Sequence, residues 1–379
     1  MTVQSYVRSA PSPALPPPAR DRGITGWVRE HLFSGPLNII LTLLSLLVLW
    51  WIVPPLLNFL VLDATFTGDD RAACLVSPDR PRAGACWPFV IERINFFIYG
   101  FYPASERWRV DAFFSLLAIG IVWLLAPWAP SKRLAAVYFF IVLPVLSVML
   151  LLGFAPLGLS YVSTSLWGGI LVTVVVSAVG IVFSLPLGVI LALGRRSAMP
   201  MVRLFSIIFI EFVRGVPLIT VLFMASVMLP LFVPEAWSPD KLLRALIGVA
   251  LFAAAYMAEV VRAGLQAIPR GQYEGAQALG LSYWKMMGLI ILPQALRITI
   301  PNIVNSNIAL FKDTTLVFIV GIFDFLRTIE VARIDPKWAT PVTSTTGYAF
   351  AAIFYFLCCW MMSRYARNVE RRLATGYRR

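Results

Sequence analysis

The stretch Leu134–Gly194 contains no Asp, Glu, Lys or Arg over 61 residues. A helix crosses about 30 Å of hydrocarbon with about 20 residues, so this stretch is long enough for two membrane spans. The segment 153–165, GFAPLGLSYVSTS, is rich in Gly, Pro and Ser and supplies the break between them. Lipid is therefore the solvent for this part of the chain.

The composition extends this conclusion to most of the sequence. Hydrophobic residues make up 59% and charged residues only 13%, with a mean hydropathy of +0.80, unlike soluble domains. The predicted fold class is an all-α, polytopic membrane protein of about eight transmembrane helices. Besides the two spans in Leu134–Gly194, the spans are predicted near 36–57, 111–129, 206–230, 245–262, 293–311 and 346–364.

The distribution of cations predicts the orientation of these spans. An even number of spans puts both termini on one side. The short loop 153–165 carries no cation, whereas Arg195, Arg196 and Arg203 crowd the next loop. Lys and Arg accumulate on cytoplasmic loops, so the N-terminus and the C-terminus are predicted to be cytoplasmic, with the long loop 58–110 on the opposite side.

Several kinds of chemistry are missing from the sequence. The single histidine, His31, lies in a polar stretch before the first span, and no His, Cys and Glu grouping has metal-ligand spacing. No lysine follows a glycine, as a phosphate-cradling loop would require. The excess of 32 Lys and Arg over 19 Asp and Glu is not clustered on a polar face, which argues against nucleic-acid binding. No catalytic or metal site is predicted.

The loop 262–297 is too long and too patterned to be a simple connection. Pro269 ends the preceding helix, Gln272–Leu279 has the length of about two helical turns, and Gly280 stands where a left-handed C-cap is expected. The sequence therefore predicts a short helix that lies across the end of the membrane bundle.

This pattern resembles the EAA loop of ABC-importer permeases, which reads Glu-Ala-Ala, three residues, Gly, nine residues, Ile, one residue, Leu-Pro. Glu274, Gly275, Ala276, Gly280, Ile290, Leu292 and Pro293 stand at those spacings. Gly275 replaces the first alanine, which weakens the helix by roughly 0.5–1 kcal/mol but keeps the side chain small. The resemblance implies an ATPase-coupling role for Gln272, Tyr273, Glu274, Gly275, Ala276 and Gly280.

Three further segments narrow the resemblance to the polar amino-acid (histidine, glutamate and glutamine) branch of these permeases. They are IEFVRGVPLITVLF at 210–223, AAYMAEVVRAGLQAIPRGQ at 254–272 and LPQALRITIPNIVNSNIALFKDTTLV at 292–317. The resemblance implies a five-helix type I permease core at 161–366, including the coupling loop 262–297. Ahead of it lie a Pro-rich cytoplasmic tail at 1–35 and an extension with three extra spans at 36–160, and a basic cytoplasmic tail at 367–379 follows. Such an extension resembles the larger membrane subunit of general L-amino-acid transporters.

The resemblance also implies partners and a location. It predicts a bacterial inner-membrane importer of L-amino acids in which this chain pairs with a second, homologous permease and contacts membrane lipid. A periplasmic amino-acid-binding protein would deliver the substrate. The chain itself would hold no cofactor and would not be an enzyme, because ATP and Mg would bind to separate ATPase subunits.

Ionisable residues at membrane depth are costly and are functional candidates by default. Glu211 and Arg214 are three residues apart on one helix face, and Lys312 and Asp313 interrupt an apolar run that also carries Asn302 and Asn305. An amino-acid zwitterion needs a donor for its carboxylate and an acceptor for its ammonium group, so these six residues are candidates for the substrate path. The alternative is that the charged residues form structural pairs that hold helices together.

The cysteines leave one alternative open. Cys74 and Cys86 lie in the loop 58–110, where an oxidising exterior permits a disulfide, and two free thiols are the other possibility.

Two other functions have to be weighed against a permease. An ion-gradient-driven secondary amino-acid transporter would explain the spans and the buried charges, but it predicts inverted repeats, and no second copy of the 262–297 pattern stands in the amino-terminal half. A non-catalytic membrane scaffold would tolerate neutralisation of all the buried charges.

Overall fold

A computed structural model describes residues 23–78, 81–234 and 239–374. The α-helices in chain order are α1 (Gly23–Leu32), α2 (Pro36–Leu57), α3 (Trp87–Tyr99), α4 (Arg107–Leu125), α5 (Lys132–Val137), α6 (Leu143–Leu152), α7 (Gly169–Arg195), α8 (Pro200–Gly215), α9 (Leu218–Phe223), α10 (Leu229–Phe232), α11 (Lys241–Ala267), α12 (Arg270–Ala278), α13 (Tyr283–Met286), α14 (Leu292–Asp313), α15 (Phe325–Ala332) and α16 (Pro341–Ala374). A two-residue strand, β1, covers Phe323–Asp324. The predicted all-α class is confirmed.

Short π-helical or 3-10 turns join or flank several of these helices. The π-helical turns are Asn58–Leu62, Tyr138–Val142, Met224–Met228 and Met287–Ile291, and the 3-10 turns are Arg71–Cys74, Ala104–Glu106, Ala155–Leu157, Thr164–Leu166 and Thr314–Val320. Because the π turns continue the helices on either side, α5 and α6 form one membrane-length helix, and so do α13 and α14.

Seven helices of the described chain are long and apolar enough to cross a membrane, or eight if one bent pair counts as a span. The seven are Pro36–Leu62, Ala104–Leu125, Lys132–Leu152, Gly169–Arg195, Lys241–Ala267, Tyr283–Val320 and Pro341–Arg372. The prediction of a polytopic protein with about eight spans is therefore confirmed.

The remaining predicted span, 206–230, is not one straight helix. It consists of α8 and the helix Leu218–Phe232, which meet at an angle of 107°. Pro217 explains the break, because a proline disfavours helical geometry in the residue before it, and Val216 is accordingly extended, with φ −115° and ψ 148°.

Several predicted boundaries also shift. Helix α4 ends at Leu125 rather than near residue 129, because Ala126 precedes Pro127 and is extended. The connection around α12 is shorter than 262–297, since α11 continues to Ala267 and a helix resumes at Tyr283. Helix α16 runs to Ala374, through arginines predicted to lie in a tail, and the proline cluster of the amino-terminal tail lies outside the described residues.

The chain divides into two compact units. The first comprises Met1–Thr65 and Val76–Ala85, and within it the Thr42 hydroxyl donates to the Leu32 carbonyl at 2.9 Å, joining α2 to α1. The second comprises Phe66–Leu75 and Cys86–Arg379 and contains all the other helices. Spans Ala104–Leu125 and Lys132–Leu152 therefore group with the carboxy-terminal spans.

Helix α11 is the centre of the second unit. In its most apolar window 61% of the residues are buried, against 28% or less in every other candidate span. Small residues make this possible, because they let helix backbones approach closely in a membrane bundle. A Cβ added at Gly188 of α7 would lie 2.8 Å from the Met257 Cβ and 3.0 Å from the Ala258 nitrogen of α11, so only glycine fits this crossing.

Cys74 and Cys86, which precede α3, pack with the carboxy-terminal helices. Cys74 and Cys86 form a disulfide with a Cα–Cα distance of 5.6 Å, so of the two alternatives the structure has the crosslink. A disulfide that closes a loop of about 15 residues stabilises a fold by about 3 kcal/mol. Both cysteines are buried together with Phe89, Phe325 and Trp338.

Polar contacts also join Cys86 and α3 to the carboxy-terminal helices. The Cys86 amide donates to the Thr346 hydroxyl at 2.9 Å, and Arg93 pairs with Asp335. The Lys337 ammonium lies 2.6 Å from the Glu92 carboxylate, and this contact holds the pKa of Glu92 below its usual value. Helix α3 is therefore part of the carboxy-terminal fold, although more than 200 residues separate it from α16 in sequence.

Asp324 organises the turn between α14 and α15. Its carboxylate accepts hydrogen bonds from the amides of Leu326 at 3.0 Å and Arg327 at 3.2 Å, capping the start of α15. The side chain is fully buried, and burial raises its pKa to about 7, although the two amide donors act in the opposite direction.

Candidate functional site

Helix α12 is held between two backbone features that its sequence specifies. Pro269 stands at the N-cap in an extended conformation, with φ −58° and ψ 143°, and separates α12 from α11. At the other end Gly280 has a φ of +71°, the left-handed conformation predicted for it. The Gly280 amide donates to the Gln277 carbonyl at 2.9 Å and the Leu281 amide to the Ala276 carbonyl at 3.2 Å. These two bonds form a Schellman motif, which glycine at this position favours.

One face of α12 is anchored to three long helices. Ala276 is buried, and the Tyr273 hydroxyl donates to the Leu265 carbonyl of α11 at 3.1 Å. The Arg196 guanidinium donates to the same hydroxyl at 3.1 Å and lies over the Tyr273 ring at 5.6 Å, which connects α12 to the end of α7. The Gln294 amide of α14 donates to the Gln272 side chain at 3.1 Å.

The other face of α12 is open. Glu274, Gly275 and Gln277 are exposed, and Leu279 is 77% exposed. A Cβ added at Gly275 or Gly280 would meet no atom within 4 Å, so packing within this chain does not require a glycine at either position. A polar surface with one large apolar side chain at its edge is thus presented outward by a firmly anchored helix.

An ion cluster lies beside this anchor, where α7, α8 and α11 meet. The Glu259 carboxylate is 2.9 Å from Arg195, 2.8 Å from Arg262 and 3.6 Å from Arg214, and its side chain is only 16% exposed. Arg195 also contacts Glu211 at 2.8 Å. Three arginines and two glutamates therefore join the three helices at one end of the bundle.

Glu211 and Arg214 do not pair with each other among the described residues, although their spacing places them on one face. Each pairs with a different helix instead: Glu211 contacts Arg195 at the end of α7, and Arg214 contacts Glu259 of α11. Glu259 is the residue whose role the sequence did not indicate. Its spacing from Arg262, three residues on one helix, predicts only a local pair and not the contacts to α7 and α8.

A cavity of about 220 Å³ opens farther along α7 and α11. Its walls come from α7, α11 and α14, and its lining includes Ser184, Tyr256, Ser306, Asn307 and Asp313. The Arg214 guanidinium lies 5.5 Å from the centre of the Tyr256 ring, so the ion cluster and the cavity share a neighbouring side chain.

Of the residues predicted for the substrate path on α14, Asp313 reaches this cavity. Asn302, Asn305 and Lys312 are exposed on the surface of the single chain and do not line it. Ser306 and Asn307 are the polar residues of α14 that do. Helical periodicity turns Asn305 and Lys312 away from Ser306 and Asp313, whereas Asn302 stands one turn before Ser306 on the same face; sequence alone does not tell which face turns toward α7 and α11.

Glu259→Gln leaves three arginines without their shared carboxylate. We expect a loss of about 2–3 kcal/mol in the free energy of unfolding, because each arginine loses a charge-assisted contact in a partly desolvated site. The matched control is Glu330→Gln, which removes a local pair with Arg327 at 2.9 Å, and its expected cost is below about 1 kcal/mol. Thermal unfolding of the full chain in detergent measures both, and equal shifts in the two variants would contradict the role of Glu259 as a hub.

Comparison with known proteins identifies the family. The family model described as "Binding-protein-dependent transport system inner membrane component" matches residues 184–375. The inner membrane amino-acid ABC transporter permease protein YhdY of Escherichia coli strain K12 is 49% identical over 356 residues, which cover 92% of this chain and 93% of that protein. The glutamate/glutamine/aspartate/asparagine transport system permease protein BztC of Rhodobacter capsulatus is 40% identical over the whole of both chains.

A shorter relative matches only part of the chain. The glutamate/aspartate import permease protein GltK of Escherichia coli O6:H1 is 34% identical over 211 residues, which are 54% of this chain but 92% of that protein. These matches favour an ABC permease over a secondary transporter or a scaffold, and they confirm the resemblance carried by the 262–297 pattern. The chain belongs to the family of binding-protein-dependent transport system inner membrane components, as a multi-pass amino-acid ABC transporter permease of the polar amino-acid branch.

Proposed function

We propose that α12 is the element through which a separate ATPase drives this permease. The observation that carries the proposal is the division of α12 into an anchored face and an open face. Tyr273, Ala276 and Gln272 are held by α7, α11 and α14, whereas Glu274, Gly275 and Gln277 are exposed. A partner that grips the open face would move the helices behind it.

The anchors lead to the cavity. The Leu265 carbonyl, which holds Tyr273, belongs to the same helix as Tyr256, which lines the cavity. Gln294, which holds Gln272, belongs to the helix that carries Asp313. A displacement of α12 is thereby passed to two cavity walls, which is the kind of coupling between two sites that a rigid element provides.

The partners of this permease follow from the same proposal. ATP and Mg bind to the ATPase subunits and this chain holds no cofactor, a periplasmic binding protein delivers the amino acid, and a second, homologous permease faces this one. The cavity volume of about 220 Å³ lies below the range of about 300–1,000 Å³ typical of ligand sites. A cavity completed by a second subunit accounts for this small volume.

L-amino acids with polar side chains are the proposed substrates, as in a general L-amino-acid transporter. BztC, whose name records transport of glutamate, glutamine, aspartate and asparagine, aligns with the whole chain. Asp313, which lines the cavity, offers an acceptor for the ammonium group of an amino acid. Arg214 does not line the cavity, but it lies over the ring of Tyr256, which does, and offers the nearest donor of the ion cluster for a carboxylate.

The proposed division into an extension and a core has support from the shorter relative. The alignment with GltK covers 92% of GltK but only 54% of this chain, and the family model begins at residue 184. A five-span core at 161–366 preceded by the extension 36–160 accounts for both. The extension then adds three spans and the disulfide-bonded segment to the part of the chain that aligns with GltK.

Gly280→Asp and Glu274→Lys test the coupling. In reconstituted complexes we expect amino-acid uptake to fall by about tenfold, the equivalent of about 1.4 kcal/mol of lost contact, because both changes alter the open face or its C-cap. Uptake and co-purification of the ATPase subunits are measured together for each variant.

Gly275→Ala is the matched control for these two variants. It lies on the same helix in ordinary helical geometry with no atom within 4 Å of the added Cβ, and it restores about 0.5–1 kcal/mol of helix propensity. Its uptake should stay within about twofold of wild type. Wild-type uptake and ATPase retention in both Gly280→Asp and Glu274→Lys would defeat the coupling role of α12.

Asp313→Asn tests the substrate path. We expect uptake to fall by about tenfold to a hundredfold with unchanged assembly, because a hydrogen bond to a charged group contributes about 1.5–3 kcal/mol. Lys312→Gln is the neighbouring control, since Lys312 is exposed and does not line the cavity, and it should change uptake by less than about twofold. If Lys312→Gln impairs uptake as strongly as Asp313→Asn, the cavity is not the path.

The proposed orientation places both termini and α12 in the cytoplasm and the disulfide-bonded segment outside. Cys74 and Cys86 are unsuitable reporters because both are buried. A cysteine introduced at exposed Asp69, in a chain with Cys358 and Cys359 replaced by serine, should react with a membrane-impermeant maleimide in spheroplasts. One introduced at exposed Arg270 should react only after permeabilisation. The reverse pattern would overturn the orientation.

A further inference from the structure

A groove of about 430 Å³ lies between the end of α4 and the last turns of α16. Its size falls within the range of sites that hold small molecules. One wall consists of apolar side chains of α4 and the turn after it, and the other is mixed. The lining includes Ile121, Val122, Leu125, Trp128, Val369 and Arg372.

Both walls are the terminal turns of membrane spans. The spans Ala104–Leu125 and Pro341–Arg372 end at the groove, so it opens where hydrocarbon gives way to headgroups. Trp128 at its rim is 78% exposed, and tryptophan is enriched at this depth of the bilayer. An apolar groove at this level faces acyl chains below and phosphate groups above.

The charge around the groove is positive. The last turns of α16 carry exposed Arg364, Arg367, Arg371 and Arg372 against one carboxylate, Glu370. No Asp or Glu lines the groove among the described residues.

Two further cations stand on the α4 side. Lys132 donates to the carbonyls of Trp123 at 2.8 Å and Leu124 at 3.2 Å, which keeps it at the end of α4, and exposed Arg133 follows it. Cations therefore lie on both the α4 side and the α16 side of the groove.

We propose that this groove binds one anionic phospholipid, with the headgroup phosphate at Arg372 and an acyl chain along Ile121, Val122 and Leu125. The apolar wall selects a lipid over a soluble anion, because a free phosphate gains nothing from it. The surrounding cations select an anionic lipid over a zwitterionic one. This binding site goes beyond the proposed transport function and needs none of its residues.

Native mass spectrometry of the full chain in a mild detergent tests the proposal. Dioleoylphosphatidylglycerol and dioleoylphosphatidylcholine are titrated separately, and the wild-type chain should bind one anionic lipid at least about fivefold more tightly, the contribution of about one arginine near a membrane surface. Arg372→Gln should lower the affinity for phosphatidylglycerol by about fivefold and that for phosphatidylcholine by less, because the choline cation already offsets the phosphate charge.

Two further variants separate this site from general surface charge. Arg367 is five residues from Arg372, which places it on the opposite face of α16, and Arg367→Gln should leave binding of phosphatidylglycerol unchanged. Val369→Trp fills the groove without changing its charge and should abolish the tight binding event. Thermal unfolding checks that each variant folds as the wild type does.

Three results would overturn the proposal. Equal affinity of the wild-type chain for both lipids would remove the selectivity for an anionic headgroup. An equal loss in Arg367→Gln and Arg372→Gln would show diffuse attraction to the basic helix. A wild-type chain that binds no lipid tightly but dimerises, with the dimer lost in Val369→Trp, would assign the groove to a second copy of the chain.

Discussion

The close crossing of α7 and α11 is the constraint on which the rest of the carboxy-terminal unit depends. Gly188 of α7 leaves no room for a Cβ against Met257 and Ala258 of α11, and small residues continue along the buried face of α11. In lipid the hydrophobic effect does not drive helices together, so close packing of small residues has to stabilise their association. Because α11 is fixed in this way, it presents Tyr256 to the cavity, Glu259 to the arginines and the Leu265 carbonyl to Tyr273.

A permease couples distant sites only if the parts between them move as units. The cavity, the ion cluster and the α12 anchor all use α11 over about three turns of helix, from Tyr256 to Leu265. The end of α7 is joined to α11 and α12 as well, because Arg195 contacts Glu259 and Arg196 contacts Tyr273. The disulfide-bonded segment stiffens a different part of the unit, where Phe89 and Cys86 pack with Phe325 and Trp338 of the α15 region.

Helix α12 was predictable because its determinants are local. Pro269 and Gly280 act on their own backbone, so their effects on the limits of α12 need no knowledge of the fold. The cavity was less predictable, since six polar or charged residues were candidates for its lining. Of the four candidates on α14, the structure turns Asp313 toward α7 and α11, while Asn302, Asn305 and Lys312 are exposed. The break at Val216–Pro217 was within reach of the sequence, because a proline inside a predicted span is a known signal.

By itself the sequence determined that this chain is an all-α membrane protein and that it carries the loop of an ABC permease. It also determined the positions of most of the breaks between spans. Each of these follows from composition or from short-range pattern, which act within one helix or one turn. Only the tertiary structure decided that Glu259 joins three arginines from three helices, that Cys74 bonds to Cys86, and that α3 packs against α16. Those contacts join residues up to about 260 positions apart, and which helix faces meet is set by packing of the whole unit, which no local pattern encodes.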